Sequence, residues 1–158
     1  MNSYEHTQPG TLVRAVIGSI ALLLSMILIR ALLSGNDVNA VATGTAISLA
    51  VSVALLVLFH SLTVCVSRHE VSIAFGIGLI RKTIPVADIQ AAFVVRTDWS
   101  SGWGIRLIRS GWLYNISGFD AVEIGLRNDR RFQIGTDQPD ELQRALQTAI
   151  ESSGNSLA

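Results

Sequence analysis

Three histidines, one cysteine and a scatter of carboxylates are the residues of this sequence that could carry chemistry, and their spacing decides whether they do. His6, His60 and His69 form neither HExxH nor HxxxH, the spacings that set two ligands on one helical face. Cys65 stands alone, so no disulfide framework or CxxC metal site can be built on it, and its apolar neighbours read it as a small buried hydrophobe. Gly76-Ile77-Gly78 opens like a dinucleotide-binding GxGxxG. Arg81 stands where the third glycine belongs, however, and a strand-like run follows rather than a helix. Asp120 and Glu123, three apart in an extended run, point to opposite faces and make no acid–base pair. Asn115-Ile116-Ser117 is a sequon of no consequence in the compartment argued below. No catalytic residue, cofactor, metal or small-molecule substrate is expected.

One stretch is fit for recognition. Ser100–Gly118, SSGWGIRLIRSGWLYNISG, gathers Trp103, Trp112 and Tyr114 among glycines and arginines in a chain otherwise poor in aromatics. Trp112 and Tyr114 are two apart and share one strand face, with Leu113 opposite; Ile105 and Leu107 share a face, with Arg106 on the other. Two readings stand. In one, the hairpin fills a core and its glycines only turn the chain. In the other, Trp103, Arg106, Trp112 and Tyr114 make an aromatic and cationic surface for lipid heads or a partner protein.

The elements that must hold this stretch follow from composition. Of the 158 residues, 49% are apolar and only 15% charged, against about a quarter charged in a soluble domain. The deficit is local, because Val38–Ser67 and Ala15–Ile29 carry no charge. From Arg68 onward ten basic residues balance ten acidic ones, which leaves no field for nucleic acid.

Residues 12–33 and 40–60 are each long and apolar enough to cross a hydrocarbon core of roughly 30 Å. Together, residues 12–60 read as a transmembrane hairpin behind an N-terminal tail, 1–11, with the polar SGNDVN as its turn. A cleaved signal peptide is the rival for the first segment, but its leading region lacks Lys or Arg before Arg14 and its apolar stretch is long. Arg68, Arg81 and Lys82 after the second span place both termini in the cytoplasm, in a multi-pass protein of the cell (inner) membrane. Gly44, Ser48 and Ser52 recur every four residues, as do Ala46, Ala50 and Ala54, and the first set is the candidate stripe for helix packing, with Gly18 and Ser25 opposite.

From Ser61 the period becomes strand-like. LTVCV and EVSIAF form a hairpin, followed by LIRKTIPV, AAFVVRT, GIRLIR, GWLYNI, AVEIGLR and RRFQIG with turn residues between. Arg127–Arg131 reads as a solvated turn. TDQPDELQRALQTAIES is a helix with Asp137 as its cap and Leu142, Ala145, Leu146, Ala149 and Ile150 on one stripe. The expected fold is a membrane-anchored α+β protein: the hairpin, then an antiparallel β-barrel or sandwich of about seven strands capped by a C-terminal helix over 61–151, then a tail, 152–158.

The residues FGIGLIRKTIPVADI (Phe75–Ile89), GWGIR (Gly102–Arg106), GWLYNISGFDAVEI (Gly111–Ile124) and RRFQIGTDQPDEL (Arg130–Leu142) carry a likeness. Over residues 61–151 the chain resembles the bacterial pleckstrin-homology-like (PH-like) domains of small membrane proteins. The resemblance implies a fold, a membrane address and a binding role without known catalysis. In the animal version of that fold, basic residues in a long loop between the first two strands grip phosphoinositides. Here that connection is Ser67–His69 with Arg68 alone, so phosphoinositide binding is not expected. The expected function is a non-catalytic scaffold or binding module on the cytoplasmic face, with the bilayer and an unidentified protein as partners. The alternatives are an accessory subunit docking through its helices and a membrane-bound enzyme.

Overall fold

The computed structural model describes residues 2–34, 38–98, 102–108 and 111–154. The chain is α+β: two long apolar helices, two β-sheets and a C-terminal helix. Helices α1 (Thr11–Leu33) and α2 (Val38–Phe59) are long and apolar enough to cross a membrane, by length and composition. Their expected connection falls at Gly35, Asn36 and Asp37, outside the described residues. The half-buried residues of α1 recur as Ile17, Ala21, Leu24, Leu28 and Ala31, one stripe that faces α2. Ser25, Thr45, Ser48 and Ser52 each donate a hydroxyl to the carbonyl four residues back, so these hydroxyls are satisfied within their own helix.

The first sheet runs in the order β1-β2-β3-β4: β1 (Asn2–Pro9), β2 (Ser61–Ser67), β3 (Glu70–Phe75) and β4 (Ile80–Pro85). A short 3-10 turn, Val86–Asp88, leads to the second sheet. Its members are β5 (Ile89–Arg96), β6 (Gly104–Ile108), β7 (Gly111–Asn115), β8 (Asp120–Leu126) and β9 (Arg131–Gly135), in the order β5-β8-β9-β7-β6. Leu62, Val64, Val66, Val71, Ile73 and Phe75 from one sheet meet Val122, Ile124, Phe132 and Ile134 from the other in a single core. Helix α3 (Pro139–Gly154) places Leu142, Leu146 and Ala149 in that core, packs on β5 and reaches β1 and β2. Gln143 Nε2 ties it to the Ala92 carbonyl at 3.1 Å.

Six expectations are corrected. Residues 2–9 are no tail but a strand paired along β2, Pro9 with Ser61 through Thr7 with Thr63 and Glu5 with Cys65. Its sequence, NSYEHTQP, lacks an apolar face, so main-chain hydrogen bonds rather than burial define it. Among the described residues nine strands therefore replace about seven. The set is not wholly antiparallel, because β7 and β9 run parallel with Trp112 beside Phe132 and Tyr114 beside Ile134. Of the two forms expected, barrel or sandwich, the barrel does not close, since β4 and β6 end their sheets unpaired with each other. Asp137 does not cap α3. The Gln138 N–H goes to Thr136 Oγ1, and the Asp137 carboxylate instead takes His6 at 2.6 Å. The helix runs on to Gly154, past the expected boundary at 151; residues 155–158 lie outside the described ones.

Candidate functional site

The open seam between β4 and β6 positions two of the residues that the sequence singled out, Trp112 and Tyr114. Register sets two rows across the inner face of the second sheet. Ile105, Tyr114, Ile134 and Val122 form one, and Leu107, Trp112, Phe132 and Ile124 the other. The β9 and β8 members of both rows are buried. Leu107, however, is 71% exposed and Trp112 44% exposed, beside the seam where β4 and β6 end their sheets unpaired with each other. An inner face without its covering layer is a cleft. It measures about 690 Å³ and is lined by Lys82, Leu107, Trp112, Tyr114 and Phe132, with Asp129, Arg130 and Arg131 along one rim. A second hollow of about 260 Å³ shares Lys82, Trp112 and Tyr114 with it and continues over Ile73, Phe75, Ile80 and Ile105.

The chemistry of this cleft is apolar floor and cationic rim. Tyr114 stacks near Phe75 and Phe132, with ring centroids at 6.4 and 6.2 Å. Burial pushes its hydroxyl above the ordinary tyrosine value of 10.0. Lys82 Nζ stands 5.7 Å over the Phe132 ring, a cation–π contact at the cleft wall. Gly111 (φ +136°) lets the start of β7 lie close against β9, since a Cβ there would sit 1.9 Å from the Arg131 carbonyl oxygen. The expected tight turn at Ser110–Gly111 has Arg109 and Ser110 outside the described residues.

Trp103, Arg106, Trp112 and Tyr114 do not make one surface. Trp112 and Tyr114 lie in the cleft, and Tyr114 is a buried core residue rather than a surface one. Arg106 sits on the outer face beside the buried Leu113 and folds back so that its Nη1 would be 3.1 Å from a Cβ on Gly102. Trp103 is half-buried, its ring 6.4 Å from Phe119, with an indole N–H that finds no partner among the described residues. Ser100 and Ser101 of this loop lie outside the described residues.

In the hairpin Ser52 is buried and Ser48 half-buried, as a packing stripe requires, but Gly44 is exposed and a Cβ on it would meet nothing within 4 Å. Thr45 takes its place in the buried stripe. Cys65 is half-buried on the outward side of β2, not in the core, and burial raises its thiol pKa first, with Glu5 adding to the effect. Glu123 is held by Arg131 at 3.0 Å and Gln133 at 2.8 Å on the outer face. Among the described residues no three of His, Cys, Asp and Glu come together as a metal set.

Sequence reasoning missed Leu107, Lys82 and Phe132 as cleft residues. Nothing in an alternating strand tells an inward residue that is covered from one that is not. A scan against family models finds no match, and neither curated proteins nor solved structures match the chain.

Proposed function

We propose that this chain is a membrane-anchored, PH-like binding module. In this reading α1 and α2 cross the cell membrane with both termini cytoplasmic, and the β domain offers the β4–β6 cleft to an extended segment of a protein partner. The anchor is supported by helices apolar on every side, whose outward residues none of the described residues covers; Leu22 is 74% exposed. Satisfied helix hydroxyls agree with it. The PH-like reading is supported by two stacked sheets with a C-terminal helix across one open edge, although β1 and the parallel β7–β9 pair depart from the expected plan.

The observation that carries the binding role is the pair Leu107 and Trp112, inward by register yet left exposed between two unpaired strand edges. An added strand could satisfy those edges and cover both side chains, with the alternate side chains of the guest setting specificity. Lys82 and Arg130, with Arg131 already paired to Glu123, outnumber Asp129 around it, which favours a guest flanked by acids. Tethering to a membrane raises the effective concentration of such a weak contact. The test is a photo-crosslinking residue at position 107 in the full chain in its native membranes. A discrete protein adduct that disappears with Trp112→Asp is expected; labelling of lipid alone, or an adduct indifferent to that change, overturns the cleft as the site.

A second reading, an accessory subunit docking through its helices, is favoured by Ala46, Ala50 and Ala54, which lie exposed on α2 as a small-residue stripe outside the α1 contact. A crosslink from position 50 to another protein supports it, and intramolecular products alone oppose it.

A further inference from the structure

The turns of the β domain fall at two ends, and the two ends are built from different residues. At the far end the β2–β3, β4–β5 and β8–β9 connections present Arg68, His69, Asp88, Arg127, Asn128 and Asp129, the polar set ordinary for exposed turns. At the end where α1 and α2 join, the β3–β4, β5–β6 and β7–β8 connections present Ile77, Leu79, Trp103 and Phe119 instead. Ile77 is 64% exposed, Leu79 72% and Phe119 38%. Large apolar side chains on the tips of tight turns cost solubility unless something covers them.

No spacer separates these tips from the helices. Gly76 (φ +53°) packs so closely on the last turn of α2 that a Cβ would sit 2.3 Å from the Val57 carbonyl oxygen. The β7–β8 turn is fastened to the start of α1, with Gln8 Nε2 donating to the Ser117 carbonyl at 3.1 Å and Ile116 Cγ1 packed on Gly10. The helix ends are themselves joined, because the His60 carbonyl accepts from Gly10 N–H at 2.8 Å and from Arg14 Nη2 at 3.0 Å. Two of the three apolar tips also carry a guanidinium: Arg81 Nη2 lies beside Gly78, and Arg106 Nη1 beside Gly102.

We propose that this end of the domain is a second membrane contact, in which Ile77, Leu79 and Phe119, with Trp103, enter the headgroup zone of the bilayer while Arg81 and Arg106 take phospholipid phosphates. The proposal rests on the anchoring reading above. Apolar wedges and a Trp suit the interface, and an arginine fork suits a phosphate. The contact fixes the tilt of the domain. It thereby holds the hollow over Ile80 and Ile105, the near end of the cleft, against the membrane surface, so that the guest segment arrives along the bilayer.

The test uses the full chain with Cys65→Ser and one new cysteine at a time, at positions 77, 79, 128 and 22. Each is labelled with an environment-sensitive dye and reconstituted in vesicles of phosphatidylcholine with a minority of phosphatidylglycerol and a spin-labelled lipid quencher. Quenching at 77 and 79 severalfold above that at 128, with strong quenching at 22, is expected. Quenching at 22 without quenching at 77 and 79 overturns the proposal, leaves the anchor intact and turns the tips toward a protein. Absence of quenching at 22 overturns the anchor and the proposal together. In the same vesicles Arg81→Gln with Arg106→Gln should weaken quenching at 77 and 79; unchanged quenching refutes the phosphate contact.

Discussion

His6 Nε2 and Asp137 Oδ1 lie 2.6 Å apart, joining the first strand of the chain to the segment that enters its last helix. Tyr4 Oη adds a 3.4 Å hydrogen bond to Gln138. Chain ends 131 residues apart are thus stitched together over the edge of the first sheet. The pair is partly exposed, so His6→Ala alone should cost no more than about 1 kcal/mol. Removing residues 2–9 strips the whole β2 edge and should lower the melting temperature in detergent by far more. Equal melting of the full and truncated chains would show β1 to be dispensable.

The cleft separates two kinds of inward residue. Leu146→Ala, in the sealed part of the core, should destabilise by about 2–5 kcal/mol. Leu107→Ala should change stability by less than about 0.5 kcal/mol, as an exposed position does. Denaturant unfolding of the two variants checks this, and a large loss for Leu107→Ala would mean that the seam is filled in the isolated chain.

Alkaline pH should loosen the same region. Burial raises the Tyr114 hydroxyl above 10.0, so the folded state holds that proton more tightly than the unfolded chain does. Its contribution is intact below pH 10.0 and is lost as pH rises through the higher folded value. Tyr4 is raised as well, again chiefly by burial, and stays in both proteins compared. Melting temperature should therefore fall more steeply above pH 10.0 in the natural chain than in Tyr114→Phe; parallel curves would contradict the assignment.

Within the hairpin, Ser52→Leu and Gly44→Leu should behave differently. Ser52 is buried on the α1-facing side, where a larger side chain forces the helices apart, typically at about 1–3 kcal/mol. Gly44 has open space around it. Thermal unfolding in micelles distinguishes them, and equal losses would move the helix contact to include Gly44.

Much of this was legible from residue patterns. The β-branched runs located the strands after α2, counted there as about seven, and the Leu142–Leu146–Ala149 stripe found the face of α3 that reaches the core. Strand β1 was invisible because its order comes from main-chain pairing by a polar sequence, which leaves no trace in hydropathy. The parallel β7–β9 pair joins strands with another between them in sequence, a long-range choice no local period encodes. Alternation correctly put Trp112 and Tyr114 on one face. It could not say that Phe75 of β3 meets Tyr114 while Trp112 stays bare, because that depends on how a different sheet lies across this one. Ile77 and Leu79 could have been noticed, since apolar residues beside turn glycines are a readable exception.

The anchor is tested most directly by washing membranes that contain the full chain with alkaline carbonate, which strips peripheral proteins and leaves spanning ones. The account predicts that the chain remains in the pelleted membranes and is released only by detergent. Recovery of the folded chain in the carbonate supernatant would contradict it.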